Sequence, residues 1–298
     1  MKRKLNTTKL LLTTAMVFAL GSSFAQAQDE EEKAHFLGGN FSANVAITTD
    51  YTFRGISQSA GDPAIQGGID WASDLFYVGT WGSTVDFNDD LVNPFTGEGS
   101  NGSSTEIDFY AGFTPTVGDV SLDFGVIYYL YPAAPGADDA VIVPNTLDTD
   151  QQALANALGV APGDVLVPFN DQNYVELYGG GSYSAGPVEL GLSLTWSPDY
   201  YFETGNLLLT NFSVGFPLGS TSEVGGSDIS FAFSGNVGYL AFLDNLVPEG
   251  GGFGEDYVDF GVGVTATWHG IDFDARFIDT FGLGGNGNTG VFTISKAF

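Results

Sequence analysis

The stretch at residues 41–58 reads FSANVAITTDYTFRGISQ, and its alternation decides how the rest of the chain is read. Phe41, Ala43, Val45, Ile47, Thr49, Tyr51 and Phe53 alternate with Ser42, Asn44, Ala46, Thr48, Asp50, Thr52 and Arg54. Period-two alternation sustained this far marks a β-strand with one apolar and one polar face. Soluble strands average about 5–6 residues, whereas a tilted strand crossing a bilayer needs about 9–11. Ionisable groups on the polar face, with aromatics ending the apolar face, suit a lipid-facing outside around a wet inside better than a sandwich core. The expected fold is all-β: a transmembrane antiparallel up-and-down β-barrel of about twelve strands, with ten or fourteen as alternatives.

The chain begins with Lys2, Arg3, Lys4 and Lys9, followed by an apolar run at 10–20 and the small-residue site Ala25-Gln26-Ala27. This is a secretory signal peptide, too short in its apolar part to span a membrane as a mature helix. Residues 1–27 are expected to be removed by cleavage between Ala27 and Gln28, residues 28–38 to form a flexible acidic leader, and residues 39–298 to form an outer-membrane barrel. Cleavage leaves Lys33, Arg54, Arg276 and Lys296 as the basic residues against 36 acidic ones. Such a surface repels nucleic acid and anionic membranes. A hydrophobic share of 43% argues against disorder, and the absence of cysteine excludes disulfides and thiolate chemistry.

Further alternating runs at 64–71, 76–87, 105–115, 120–131, 173–185, 188–196, 206–217, 228–242, 258–268, 271–281 and 289–298 complete the strand set. In the run at 76–87, Tyr77, Trp81, Val85 and Phe87 share the apolar phase, and a turn is expected around 219–226. Residues 132–171 hold one expected helix, capped by Thr149 or Asp150, with Ala153, Leu154, Ala157 and Leu158 at helical spacing and Gly159 as its stop. Long connections alternate with tight turns, as outer loops and periplasmic turns do in outer-membrane barrels.

Parity puts Asp50, Asp70, Asp86, Glu106, Asp108, Asp123, Glu176, Glu189, Asp259, Asp272 and Asp274 on the inner face, with Arg54 and Arg276 as its basic residues. Asp50, Arg54, Asp70, Asp86, Asp108, Asp123, Glu176, Asp272, Asp274 and Arg276 are the candidate pore-lining residues. Fixed negative charge in a narrow lumen favours cations. Arg54, above Asp50 on the same face, is expected to be an ion-pair partner, because a lone arginine among carboxylates pairs. Tyr110, Tyr129, Tyr131, Tyr174 and Tyr178 also face inward by parity, and stacked there they would fill the barrel. The histidines, His35 and His269, lack an evident serine or carboxylate partner on the same face, so no hydrolase is expected. GNGNTG at 285–290 matches a dinucleotide motif by letter but opens a strand, and reads as a hairpin loop. The acidic loops at 86–90 and 138–150 lack a calcium-loop spacing and read as solvated acid.

DYTFRGISQSAGDPAIQGGIDW at 50–71, FYVGTWGSTVDF at 76–87 and STEIDFYAGF at 104–113 resemble the TorF-type porin family of proteobacterial outer membranes. The blocks at 54–58 and 79–83 are the most specific parts, and ISKAF at the C-terminus resembles the family ending. Lys296 replaces the usual apolar residue two before the end and is expected at the periplasmic rim. The segment at 132–171 is long for the family. The resemblance implies a porin-like barrel without a defined substrate. The expected function is passive diffusion of small solutes, cation-preferring, without a cofactor or enzyme activity. The alternative is a closed structural or surface-interaction barrel with acidic, divalent-ion-binding loops. Expected partners are outer-membrane lipid and lipopolysaccharide, the barrel-assembly machinery through Phe298, and small solutes; a homo-oligomer is left open and a 132–171 plug is considered.

Overall fold

The computed structural model describes residues 38–87, 102–132, 141–142, 144–158, 161–163, 165–167, 172–201, 204–224, 227–244, 255–283 and 288–298. Residues 1–27, expected as a signal peptide, and residues 28–37 of the expected leader lie outside the described residues. In chain order the elements are β1 (Asn40–Thr48), β2 (Thr52–Phe53), β3 (Ile56–Ser57), β4 (Ala64–Ala72), β5 (Phe76–Thr84), β6 (Thr105–Phe113), β7 (Thr116–Val117) and β8 (Val120–Leu130). There follow β9 (Val141–Ile142), α1 (Thr149–Leu158), β10 (Val165–Val167), β11 (Tyr174–Ala185), β12 (Val188–Ser197), β13 (Leu207–Val224), β14 (Ser227–Phe242), β15 (Tyr257–Trp268), β16 (Ile271–Phe281) and β17 (Thr289–Ala297).

Twelve of these strands form one closed antiparallel barrel, in the order β1, β4, β5, β6, β8 and β11 to β17. Closure comes from β1, which pairs with β4 on one side and with β17 on the other. The chain terminus tightens that seam, since the amides of Ala43 and Phe298 each donate to the other's carbonyl at 3.2 and 2.8 Å. A closed sheet leaves no free strand edge to pair with another chain. Consecutive barrel strands are neighbours throughout, and the long connections gather at one end, the loop end, opposite the turn end.

Alternation then sorts the side chains. Ile47, Ile65, Ile69, Leu192 and Leu194 point outward and are 51–62% exposed. Glu106, Asp108, Tyr129 and Glu176, on neighbouring strands, point inward and are at most 1% exposed. The outside of this protein is therefore apolar and its inside polar, the reverse of a soluble domain.

Four expectations are corrected. β1 ends at Thr48 rather than running on to Arg54: Thr48 Oγ1 donates to the Asp50 carbonyl at 2.9 Å, and the chain leaves the sheet there. Tyr77, Trp81, Val85 and Phe87 face inward, while Phe76 and Val78 take the outer face. Both faces of β5 are apolar, so its own alternation could not choose, and pairing with β4 and β6 does. The helix N-cap is Asp148, whose carboxylate accepts the Gln151 amide at 2.8 Å while Gln151 Oε1 accepts the Asp148 amide at 2.9 Å. The residues expected as a turn at 219–226 are largely strand, because β13 runs to Val224 and β14 starts at Ser227.

Inward glycines make room for inward rings. A Cβ on Gly112 would collide with the Tyr77 ring, and one on Gly125 with the Tyr178 ring. Overpacking such a contact costs about 1–3 kcal/mol. Gly125→Val should therefore lower the unfolding free energy of the refolded barrel, read from urea titration, by that order, whereas Gly290→Ala, with open space at its Cβ, should leave it within about 0.5 kcal/mol.

Candidate functional site

Residues 49–63 join β1 to β4 and fold inward as a strap across the lumen. β2 and β3 make a miniature hairpin, Thr52 opposite Ser57 and Phe53 opposite Ile56, around a two-residue turn at Arg54 and Gly55. Both turn residues have positive φ, 52° and 78°, which glycine accepts without strain at the second position. Asp50 Oδ1 accepts the hydroxyls of Ser57 and Ser59 at 2.6 and 3.0 Å, so the base of the strap is knotted to itself.

The strap is anchored to both sides of the barrel. The Tyr51 hydroxyl donates to Glu106 on β6 at 2.7 Å, and its ring meets Trp81 edge-on at 5.6 Å. Burial and the Glu106 charge push the Tyr51 hydroxyl pKa up, so it keeps the proton it donates. Arg54 Nη2 reaches both oxygens of Glu176 on β11, at 2.7 and 2.8 Å, with side chains 5% and 1% exposed. Burial works against the guanidinium charge, but Glu176 together with Tyr200, Tyr129 and Tyr174 outweighs it and the Arg54 pKa is pushed up. On the opposite wall, the Tyr257 hydroxyl of β15 donates to the Arg54 carbonyl at 3.1 Å. Gly55 packs against Thr280 of β16 and lies 3.2 Å, measured from its missing Cβ, from Asp259 Cβ.

The strap divides the lumen unequally. Toward β5–β11 the space is filled by rings and carboxylates in matched pairs. Tyr131 donates to Glu106 at 2.6 Å, Tyr129 to Glu176 at 3.2 Å, Tyr77 to Asp123 at 2.8 Å and Tyr110 to Asp70 at 2.5 Å. Tyr77 and Tyr178 also share a hydroxyl contact, and Tyr129 stacks on Tyr174 at 4.3 Å. Asp108 is fully buried among them, with neither oxygen hydrogen-bonded among the described residues. Toward β13–β17 and β1, a cavity of about 240 Å³ with a mixed polar and apolar wall remains beside the strap. Its wall includes Asp50, Arg54, Asn211, Asp259, Asp274 and Arg276. Arg276 lies flat over Gly263, donating to Ser234 at 2.8 Å and to Asp274 at 3.3 Å.

The candidate lining residues thus separate into groups. Asp70, Asp108, Asp123 and Glu176 lie in the filled half. Asp50 and Arg54 belong to the strap, and the ion pair Arg54 makes is with Glu176 rather than Asp50. Asp274 and Arg276 face the cavity, and Asp272 accepts Thr267 at 2.5 Å nearer the turn end. Asp86 follows β5, and its amide holds the Gln58 carbonyl of the strap at 2.8 Å. Trp81, Phe53 and Tyr200 were not singled out as interior residues by parity; a turn-forming Arg-Gly pair between serines and Asp50 was the available signal for the strap. Of the segment considered as a plug, residues 133–140, 143, 159–160, 164 and 168–171 lie outside the described residues, as do residues 88–101 of the acidic loop. Among the described residues no group of three or more histidine, cysteine or acidic side chains is placed to hold a metal ion. No described helix is long and apolar enough to cross a membrane, which says nothing of crossing by strands.

Residues 34–154 match the model of a family described as a bacterial protein of unknown function (Gcw_chp), a description that does not carry the TorF-type name. No curated protein matches the chain. Among solved structures, a NanC porin shares 6% identity over 87% of this chain and 98% of its own, with a TM-score of 0.43. LpxR from Salmonella typhimurium shares 9% over 86% and 99%, at 0.38. Pseudomonas aeruginosa OprD shares 11% over 89% and 67%, at 0.35. These scores lie below 0.5, and the barrel is read from the chain's own strand pairing.

Breaking a buried ion pair by removing one partner costs about 3–5 kcal/mol, because the other charge is stranded. Arg54→Met should cost stability on that scale in urea unfolding of the refolded barrel. Adding Glu176→Gln should recover at least half of the loss, and a double variant as unstable as the sum of the single ones would show that the pair is not coupled.

Proposed function

We propose that this protein is a non-enzymatic outer-membrane barrel that passes small solutes through a narrow, cation-preferring path. The observation that carries the reading is the division of the lumen: rings and strap fill one half, and a cavity whose mixed wall includes Asp50, Asp259 and Asp274 persists in the other. The apolar outer face supports placement in lipid, since exposed aliphatics of this extent would drive a soluble protein to aggregate. Lipid and lipopolysaccharide are then its surroundings. At the seam, Phe298 is 66% exposed and backbone-bonded to Ala43, a terminal strand open to inspection by assembly machinery. Lys296 lies 5.3 Å above the Phe298 ring, a placement that lets its stem run along apolar surface toward the rim.

About twelve strands fall between the eight that side chains fill and the sixteen of open porins, so an inserted strap is enough to narrow the path. Arg54 is held by Glu176 and Arg276 by Asp274, which leaves Asp50 and Asp259 as the cavity's carboxylates outside an ion pair. Negative charge in a low-dielectric passage raises the local cation concentration.

Planar-bilayer recording of refolded mature protein tests this. Discrete steps and a reversal potential favouring K⁺ over Cl⁻ are expected in a salt gradient. Asp274→Asn should move that reversal potential toward zero, and Arg54→Met should raise the unit conductance by releasing the strap. A folded, heat-modifiable barrel without steps would overturn the channel and favour the closed-barrel alternative.

A further inference from the structure

A water-filled path has no need of aliphatic side chains, yet three line the cavity on the open side of this lumen. Leu209 of β13, Ile278 of β16 and Val291 of β17 point inward and line the cavity, at 5%, 9% and 8% exposure. Asp259 of β15 stands among them. Glycine on the neighbouring strand makes this possible: the space a Gly238 Cβ would occupy holds Asp259 Oδ1, with Leu209 Cδ1 at 3.2 Å from the same point. Ile278 Cγ1 lies 3.7 Å from the corresponding point on Gly261, two residues along from Asp259 on the same face.

The Asp259 carboxylate is weakly committed. Asn236 Nδ2 donates to it at a long 3.4 Å, while the nearby Arg54 guanidinium is turned to Glu176. Asp50 adds negative charge to the same cavity, while Asp274 is paired with Arg276. A carboxylate beside an aliphatic wall fits a particular ligand chemistry. An ammonium head pairs with the carboxylate, and an alkyl part leaves water against Leu209, Ile278 and Val291. Inorganic cations gain nothing from the aliphatic wall, and carboxylates are repelled by the acidic one. The volume, about 240 Å³, lies below the roughly 300 Å³ at which pockets for drug-sized ligands begin, so the ligand is small.

We propose that the recess around Asp259 binds short-chain organic ammonium ions, with Asp259 taking the ammonium and the three aliphatic side chains taking the alkyl part. Its place on a solute path rests on the channel reading above; binding itself does not. Each buried methylene contributes enough to strengthen binding about fourfold.

The test is calorimetric titration of the detergent-folded mature protein with ammonium, methylammonium, propylammonium and butylammonium at fixed ionic strength. Affinity should climb about fourfold per methylene until the recess is full, and butanol and butyrate should not bind. Asp259→Asn should weaken butylammonium at least tenfold, and Ile278→Thr should flatten the alkyl series while sparing ammonium. Heat-modifiable migration shows that each variant is folded. If Asp259→Asn fails that check, Ile278→Thr alone carries the test. A flat series, or an unchanged affinity in folded Asp259→Asn, overturns the site. Bilayer recording separates the two readings: binding without conductance keeps the site and removes the channel, whereas conductance with a flat series does the reverse.

Discussion

The ion pair between Arg54 and Glu176 is the constraint on which the interior depends. It joins the tip of an inserted connection to the far wall, with both side chains almost wholly out of solvent. Burying a guanidinium in that position is strongly unfavourable without a facing carboxylate, and burying a carboxylate there is so without donors around it. Each group therefore requires the other. Once they meet, the strap between β1 and β4 is held across the barrel, and Tyr51, Phe53 and Gly55 fall into contact with β5, β6, β8, β15 and β16.

That geometry explains why the filling is one-sided. Twelve strands enclose more space than their own side chains occupy, so something has to fill it or water does. On the β5–β11 side the sequence supplies large rings, and inward glycines at 79, 112 and 125 let those rings lie against the wall. Tyrosine suits the place because its ring packs like an apolar group while its hydroxyl satisfies a buried carboxylate. Opposite, the inward positions mix amides, hydroxyls, carboxylates and a flat-lying Arg276 with the aliphatic Leu209, Ile278 and Val291, and these do not close the space. Asp108, fully buried with neither oxygen hydrogen-bonded among the described residues, is the exception in the filled half.

Much of this was legible in the chain, for a simple reason. A strand's two faces differ in every second residue, so alternation reports inside and outside wherever one face is apolar and the other is not. Hence Ile107, Phe109 and Ala111 could be set against Glu106, Asp108 and Tyr110, and long connections told from short ones. Where both faces are apolar, as in β5, alternation is silent. Where alternation continues past the end of pairing, as from Thr49 to Arg54, it misleads: the pattern persists while the chain has already left the sheet.

The amino-acid sequence by itself determined that this protein is a barrel with an apolar exterior and an acidic interior, because strand periodicity and composition are local properties. It also determined which connections are long. Only the tertiary structure decided that residues 49–63 turn inward, that Arg54 pairs with Glu176 rather than with its neighbour Asp50, and that Asp259 shares a recess with Leu209, Ile278 and Val291. Those contacts join residues far apart in the chain, 122 positions for Arg54 and Glu176 and 203 for Arg54 and Tyr257, and they exist because closure of the sheet brings opposite walls within side-chain reach.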